Sequence, residues 1–371
     1  MFLNHIALSN FKNCKEASLT LSPKINCFTG RNGAGKTNLL DAIYYLSFCK
    51  SYFVQSDLLN IYYGEDYFAI NGQYTLDDGK VDKIQCIQKR DHPKKFSLNK
   101  KEYDRLADHI GLFPLVIVSP SDADLINDGS EIRRKYIDSV ISQFDKTYLF
   151  HLINYNKGIA QRNAQLKQFA ETHFFDDSML TLWDERLVEP ASYIYEKRKA
   201  FLSEFAEVFQ YFYEWISESR EVVSATYASQ MAEMGFLELQ RSSRDKDRAL
   251  KYTSTGVHKD DLELKMNGYP VKRNGSQGQQ KSFVIALKLA QFEYTRRIKN
   301  FKPILLFDDI FDKLDHHRVD KLIKLVSLDS FGQVFITDTQ PERINAIFRE
   351  SNLDHSVFVV DDGHVELTSI L

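Results

Sequence analysis

The sequence predicts an α/β protein whose sheet-forming part is interrupted by a helical lobe, and three observations carry that prediction. Glycine and proline thin out between Ser121 and Leu250, where only Gly129, Gly158, Gly235 and Pro190 occur, as in a run of long helices. A β-favouring run, Ile25 to Thr29, feeds a glycine-rich loop and then a helix-forming segment. A second apolar run, Pro303 to Phe307, ends in two carboxylates, Asp308 and Asp309.

At 371 residues the chain is about two and a half typical domains long, so two domains or one domain with a large insertion is expected. Hydrophobic residues at 43% and charged residues at 27% exclude a disordered or fibrous chain. Lys+Arg 48 against Asp+Glu 51 leaves a net charge of −3, so a polyanionic partner would have to meet a local basic patch. The longest strongly apolar run, Leu112 to Val118 with Pro114 inside it, is far short of the roughly 20 residues that a membrane helix needs. Met1-Phe2-Leu3-Asn4-His5 does not read as a secretion signal. Cys14, Cys27, Cys49 and Cys86 form no CxxC, which suits a reducing cytoplasmic setting and no zinc site.

Short β-rich pieces are expected at Phe2 to Ser9, Ile25 to Thr29, Phe68 to Tyr74, Asp82 to Gln88 and Leu112 to Val118. In the glycine-poor block, Ile132, Tyr136, Ile137, Val140, Ile141 and Phe144 share one helix face. Leu187, Ile194, Phe201, Val208 and Trp215 recur every seven residues, with Phe205 and Phe212 offset by four. That series fits a short coiled-coil seam or an ordinary buried helix face. The expected layout is a discontinuous head, residues 1–120 and 250–371, with a helical insertion lobe at 121–249.

Gly30, Arg31, Asn32, Gly33, Ala34, Gly35, Lys36 and Thr37 match G-x-x-x-x-G-K-[ST] at every fixed position. Glycines let backbone N–H groups converge on phosphate oxygens, and the N-terminus of the following helix adds its positive dipole end. Lys36 is expected on the β- and γ-phosphates and the Thr37 hydroxyl on Mg²⁺. In that helix Leu39, Ala42, Ile43 and Leu46 should face inward. The acidic strand would open onto the same crevice, with Asp308 as the Mg²⁺ acid and Asp309 orienting or deprotonating the attacking water.

Ser276-Gln277-Gly278-Gln279-Gln280 precedes a helical run and resembles the signature motif of ATP-binding-cassette ATPases; Asp312-Lys313-Leu314-Asp315 resembles their dimer loop. In that superfamily the signature Ser and Gly contact the γ-phosphate held by a second subunit, which would give Ser276, Gly278 and Gln279 a nucleotide role. The plain reading of Ser276 is a helix N-cap.

The whole chain resembles the RecF recombination-mediator family, relatives of the SMC proteins. The carrying segments are His5 to Asn13, Gly33 to Ile43, Ser119-Pro120-Ser121-Asp122 and Arg133 to Asp138. They continue with Asn154 to Lys157, Gln161-Arg162-Asn163, Gly256 to Leu262 and Gly275 to Gln280. The resemblance implies an ATP-binding-cassette (SMC-like) head and a cytoplasmic protein that binds ATP and forms an ATP-dependent homodimer. It also implies binding to single-strand and double-strand DNA near their junctions, RecR and RecO type partners, and roles in repair, replication, recombination and the SOS response.

Asp309 stands where transporter ATPases carry a catalytic Glu, and Thr337-Asp338-Thr339 where they carry a switch His. Both departures should weaken water activation, so slow hydrolysis acting as a switch is expected, and the resemblance implies that DNA stimulates it. The resemblance implies that His258 sits near the nucleotide, whereas the plain reading is a histidine bonded inside the hairpin ahead of the signature helix; His316-His317 reads as surface. Candidate DNA contacts are Arg133-Arg134-Lys135, the Arg241 to Lys251 segment with Arg244, Lys246 and Arg248, and Arg296-Arg297 with Lys299; each also fits a solvated face. The competing readings are a transporter ATPase subunit, another SMC-like ATPase, and a small-molecule P-loop kinase.

Overall fold

The computed structural model describes residues 1–218, 221–310, 316–326, 328, 330–340 and 355–370. The chain forms two compact units, a head of Met1–Asp122 with Lys288–Leu371, and a lobe of Ala123–Leu287.

Among the described residues the head holds two six-stranded sheets. One is antiparallel, in the order Cys14–Thr20, Phe2–Phe11, Tyr67–Thr75, Val81–Lys89, Lys95–Leu98, Lys101–Glu102. The other runs Leu115–Val118, Ile304–Phe307, Val334–Asp338, Ile25–Thr29, His355–Asp361, His364–Ile370, parallel except for its last pair. Strand continuity follows composition: Ile25–Thr29, Leu115–Val118 and Ile304–Phe307 are buried at every position, as strands of a sheet covered on both faces must be. The antiparallel strands instead alternate, for example Ile84, Cys86 and Gln88 inward against Lys83, Gln85 and Ile87. Pro114 falls just before the edge strand rather than inside it, and its carbonyl accepts from the Ile304 N–H.

The helix after the glycine loop, Lys36–Phe48, contacts strands of both sheets. Sequence periodicity assigns it one inward stripe, yet every residue from Leu39 to Phe48 is buried. A helix enclosed on all sides needs no polar face, and its buried Asp41 is satisfied by Lys12, by the Ser51 hydroxyl and by the Tyr52 N–H. All four cysteines are buried free thiols, and desolvation pushes Cys14 up to about 11.

The lobe contains the long helices Lys146–Thr172 and Asp177–Ser217, packed on each other, and a three-stranded antiparallel sheet. The seven-residue series is an ordinary buried face. Leu187, Ile194, Phe201 and Val208 are buried, but by the last two turns Phe209 and Ile216 are the more deeply buried while Trp215 is half exposed. That slow rotation of the buried stripe is what a 3.6-residue helix does against a seven-residue repeat when it does not supercoil.

The return from lobe to head comes later than the 250 expected from composition. Val223–Ala228 pairs with Asp261–Met266, which pairs with Tyr269–Pro270, so the β-rich stretch after 250 completes a sheet of the lobe.

Candidate nucleotide site

The glycine loop leaves the C-terminal end of Ile25–Thr29, where the Gly30 N–H donates to the Asp338 carbonyl of the neighbouring strand. Gly35 precedes the helix at φ 114°, and a Cβ there would meet the Asn13 amide at 2.6 Å. Asn13, in the turn between the first two antiparallel strands, donates from Nδ2 to the Ala34 carbonyl at 3.0 Å and accepts from Asn38 Nδ2 at 2.7 Å. The Gly363 N–H also donates to Ala34 O. The loop is therefore braced by three chain segments.

Asn32, Gly33, Gly35, Lys36, Thr37, Asn38 and Asp309 line one open cavity of about 160 Å³. Lys36 Nζ donates to the carbonyls of Gly30 and Arg31 at 2.8 and 2.9 Å, holding a cation across the loop. On the facing strand the Asp308 N–H donates to Val118 O, fixing the end of the acidic strand against its neighbour. Asp308 Oδ1 accepts from the Thr37 hydroxyl at 2.8 Å and from the Thr337 hydroxyl at 3.0 Å. Burial pushes the Asp308 carboxyl above its usual range, against the opposing pull of these hydroxyls and of Lys36. Asp309 takes a left-handed backbone, φ 47°, and its N–H donates to Thr337 Oγ1. Thr337 thus ties the two acids together. Sequence reasoning registers Thr337-Asp338-Thr339 only as the absence of a switch His, and Asn13 only as part of a similar segment; strand order brings both to the loop.

Of the site residues expected in the head, Asn32, Gly33, Gly35, Lys36, Thr37 and Asp309 line this cavity and Asp308 is bonded to Thr37, while Gly30, Arg31 and Ala34 belong to the loop outside the lining. Ser276, Gly278 and Gln279 belong to the lobe. There the Ser276 Oγ accepts from the Gln279 N–H and Gln279 Oε1 accepts from the Ser276 N–H, a reciprocal capping box on the helix Gln277–Lys299. Ser276 is exposed, so a capped, presented helix tip is what the lobe offers. Asp312-Lys313-Leu314-Asp315 lies outside the described residues. His317 is exposed.

His258 is bonded inside the lobe. Its Nε2 meets the Thr253 carbonyl at 3.0 Å and can only donate there, so Nδ1 accepts from the Tyr155 hydroxyl at 2.8 Å. Burial lowers the imidazole to about 4. The same corner explains the Gln161-Arg162-Asn163 segment. Arg162, fully buried, donates to Asp184, Asp247 and Thr253, while Asn163 Oδ1 accepts from Thr253.

The expected basic clusters are mostly neutralised. Arg133 makes a two-pronged pair with Asp261 at 2.7 and 2.9 Å, and Arg134 donates to the Asp260 carbonyl. Lys135 pairs with Glu131, Arg244 with Asp177 and Asp184, and Arg296 and Arg297 share Glu293.

Comparison with known proteins agrees with this geometry. The RecF/RecN/SMC N terminal domain family matches residues 2–363. The DNA replication and repair protein RecF of Flavobacterium johnsoniae is 50% identical over 358 residues, 96% of this chain and 99% of its own. That of Phocaeicola vulgatus is 48% identical over 366 residues, 98% of each chain. The solved structure of the recombination mediator protein RecF-ATPrS in the RecFOR pathway matches with TM-score 0.89 at 30% identity, covering 99% of this chain and 98% of that one. An Smc head domain from Pyrococcus furiosus, TM-score 0.58 at 16% identity over 100% of this chain and 96% of that one, shares the fold.

Proposed function

The chain belongs to the RecF branch of the RecF/RecN/SMC family, and from that membership we propose that it is an ATP-controlled DNA-binding switch of recombinational repair and replication-fork maintenance. The observation that carries the reading is the meeting of the Thr37 hydroxyl and the Asp308 carboxylate at the edge of the phosphate-loop cavity. Two hard oxygens converging there, one on a carboxyl that burial disfavours in its charged form, suit a Mg²⁺ ion that keeps most of its shell for water and phosphate. Thr37 and Asp308 would hold that ion, which on binding would neutralise phosphate charge.

Gly30 to Thr37 bind the triphosphate through backbone N–H groups at the start of a 13-residue helix, and Lys36 exchanges its two loop carbonyls for β- and γ-phosphate oxygens. Asp309, held by Thr337, orients the attacking water; its short side chain and the missing switch His make hydrolysis slow. The γ-phosphate is completed by Ser276, Gly278 and Gln279 of a second copy, so ATP closes a homodimer. The closed dimer binds DNA near single-strand/double-strand junctions, with RecR and RecO type partners, in the cytoplasm. DNA stimulates the slow ATPase. The end-to-end likeness to RecF relatives favours this switch over a transporter subunit or a small-molecule kinase. Among the described residues no helix is long and apolar enough to cross a membrane.

The test is a titration of gapped duplex DNA with and without ATP, beside single-turnover hydrolysis. Tighter binding with ATP that Lys36→Met abolishes, with hydrolysis slower than DNA association, supports the reading. DNA affinity indifferent to ATP, or rapid hydrolysis without DNA, overturns it.

A further inference from the structure

We infer that the outward face of the antiparallel sheet in the head, centred on Lys83, Lys89 and Lys95, is a platform for the sugar-phosphate backbone of DNA. The inference rests on the proposed DNA-binding function and names the surface for it.

Residues 80–101 carry Lys80, Lys83, Lys89, Arg90, Lys94, Lys95, Lys100 and Lys101 against Asp82 and Asp91, a local excess of positive charge in a chain of net charge −3. Some of these cations are spent internally. Lys94 is held by Asp57 and the Cys49 carbonyl, Lys80 pairs with Asp78, and Arg90 donates to the Glu65 carbonyl. Lys83, Lys89 and Lys95 are exposed and, among the described residues, have no carboxylate partner, unlike most of the basic residues singled out in the lobe.

Strand register puts the three on one face. Lys83 lies across from Gln73, which lies across from His5; Lys89 is across from Tyr67, and Lys95 from Ile87. A row of uncharged side chains on five neighbouring strands, Ser18, Ala7, Asn71, Gln85 and Ser97, crosses the face and passes between Lys83 and Lys89 at Gln85. The acids on this face, Glu16 and Glu102, sit toward its opposite rims. Six residues separate Lys83 from Lys89, about 20 Å at roughly 3.3 Å per residue, the axial length of about 6 base pairs.

The chemistry of such a face matches a polyanion's. Ammonium groups neutralise phosphates without demanding directional geometry, amides and hydroxyls donate to phosphate oxygens, and short central side chains let a duplex approach closely. Tyr67, 41% exposed beside Lys89, adds a hydroxyl donor and a ring that an unpaired base can stack on. Nothing on the face can read base edges deeply, so binding is independent of sequence and carried by counterion release.

The experiment measures affinity for a gapped duplex with ATP between about 50 and 200 mM salt, on wild type and on a Lys83→Gln/Lys89→Gln/Lys95→Gln variant. Three lost phosphate contacts should flatten the slope of log K against log salt by about 2.7 per subunit and weaken binding at least tenfold near 0.1 M salt. Lys135→Gln, which removes an exposed cation already paired with Glu131, should leave the slope unchanged, and light scattering should show the same ATP-dependent dimer in all three proteins. A triple variant with wild-type slope and affinity overturns the inference while leaving the proposed function intact. So does a variant that keeps its DNA binding but loses capture of an acidic protein segment. Wild type that fails to bind DNA at any salt sinks the proposed function and the inference together.

Discussion

The buried arginines of the lobe and the outward lysines on the antiparallel sheet of the head treat positive charge in opposite ways. In the lobe, arginines are buried and matched: Arg162 lies between Asp184 and Asp247, and Arg198 between Asp138 and Asp260. In the head, Lys83, Lys89 and Lys95 stand in solvent on a sheet face whose acids, Glu16 and Glu102, lie toward its rims. A basic run in a sequence is therefore not yet a basic surface. What decides is whether a carboxylate far along the chain folds back onto it, as Asp247 does onto Arg162 across 85 positions. Arg162 and Arg198 hold a fold together; Lys83, Lys89 and Lys95, unlike Lys12 and Lys94 of the same head, have no carboxylate partner among the described residues.

That contrast can be broken by measuring stability. The largest effect is expected at Arg162→Ala, which strands Asp184 and Asp247 without their buried partner and should cost about 3–5 kcal/mol in urea unfolding. A loss under about 1 kcal/mol would show that the pairing is not structural.

Next is His258, whose imidazole sits in the same corner. Its folded value near 4 lies below the ordinary value of 6.5, so the unfolded chain binds the extra proton. Its contribution is level above about pH 6.5 and turns against the fold as pH falls toward 4, amounting to about 2 kcal/mol at pH 5. Melts of His258→Gln at pH 5 and pH 7 should show a smaller drop than wild type; an equal drop would place the acid sensitivity elsewhere.

Lys135→Ala, breaking an exposed i,i+4 pair with Glu131, should cost about 0.3–0.5 kcal/mol in the same assay. Smallest is Lys89→Gln, expected within about 0.5 kcal/mol of wild type while still reducing the salt slope of DNA binding. A large stability loss there would mean that this lysine is part of the fold after all.

These regions also mark how far the sequence could be read. The phosphate loop was legible because its chemistry is contiguous: Gly30 to Thr37 carry the ligand's geometry in eight consecutive residues, and the strand before and helix after follow from local preference. Asp308 and Asp309 were legible as the end of an apolar strand. Thr337 and Asn13 were not, because their roles depend on which strand lies beside which. The later lobe boundary was hidden for the same reason, since β-rich residues after 250 pair with Val223–Ala228. The excess of lysine at 80–101 is visible in the sequence, but which of these cations share a face is not: Lys83, Lys89 and Lys95 are six residues apart and only strand register aligns them.

The most direct test of the central claim exploits the two roles that Ser276 could have. Aspartate is as good a helix cap as serine, so Ser276→Asp should preserve the capping box and the melting temperature while aiming a negative charge at the γ-phosphate. Light scattering with ATP and Mg²⁺ should then find wild type dimeric and Ser276→Asp monomeric, with equal nucleotide affinity in the two monomers. An ATP-dependent dimer of undiminished strength in Ser276→Asp would contradict the account, leaving Ser276 as a cap and nothing more.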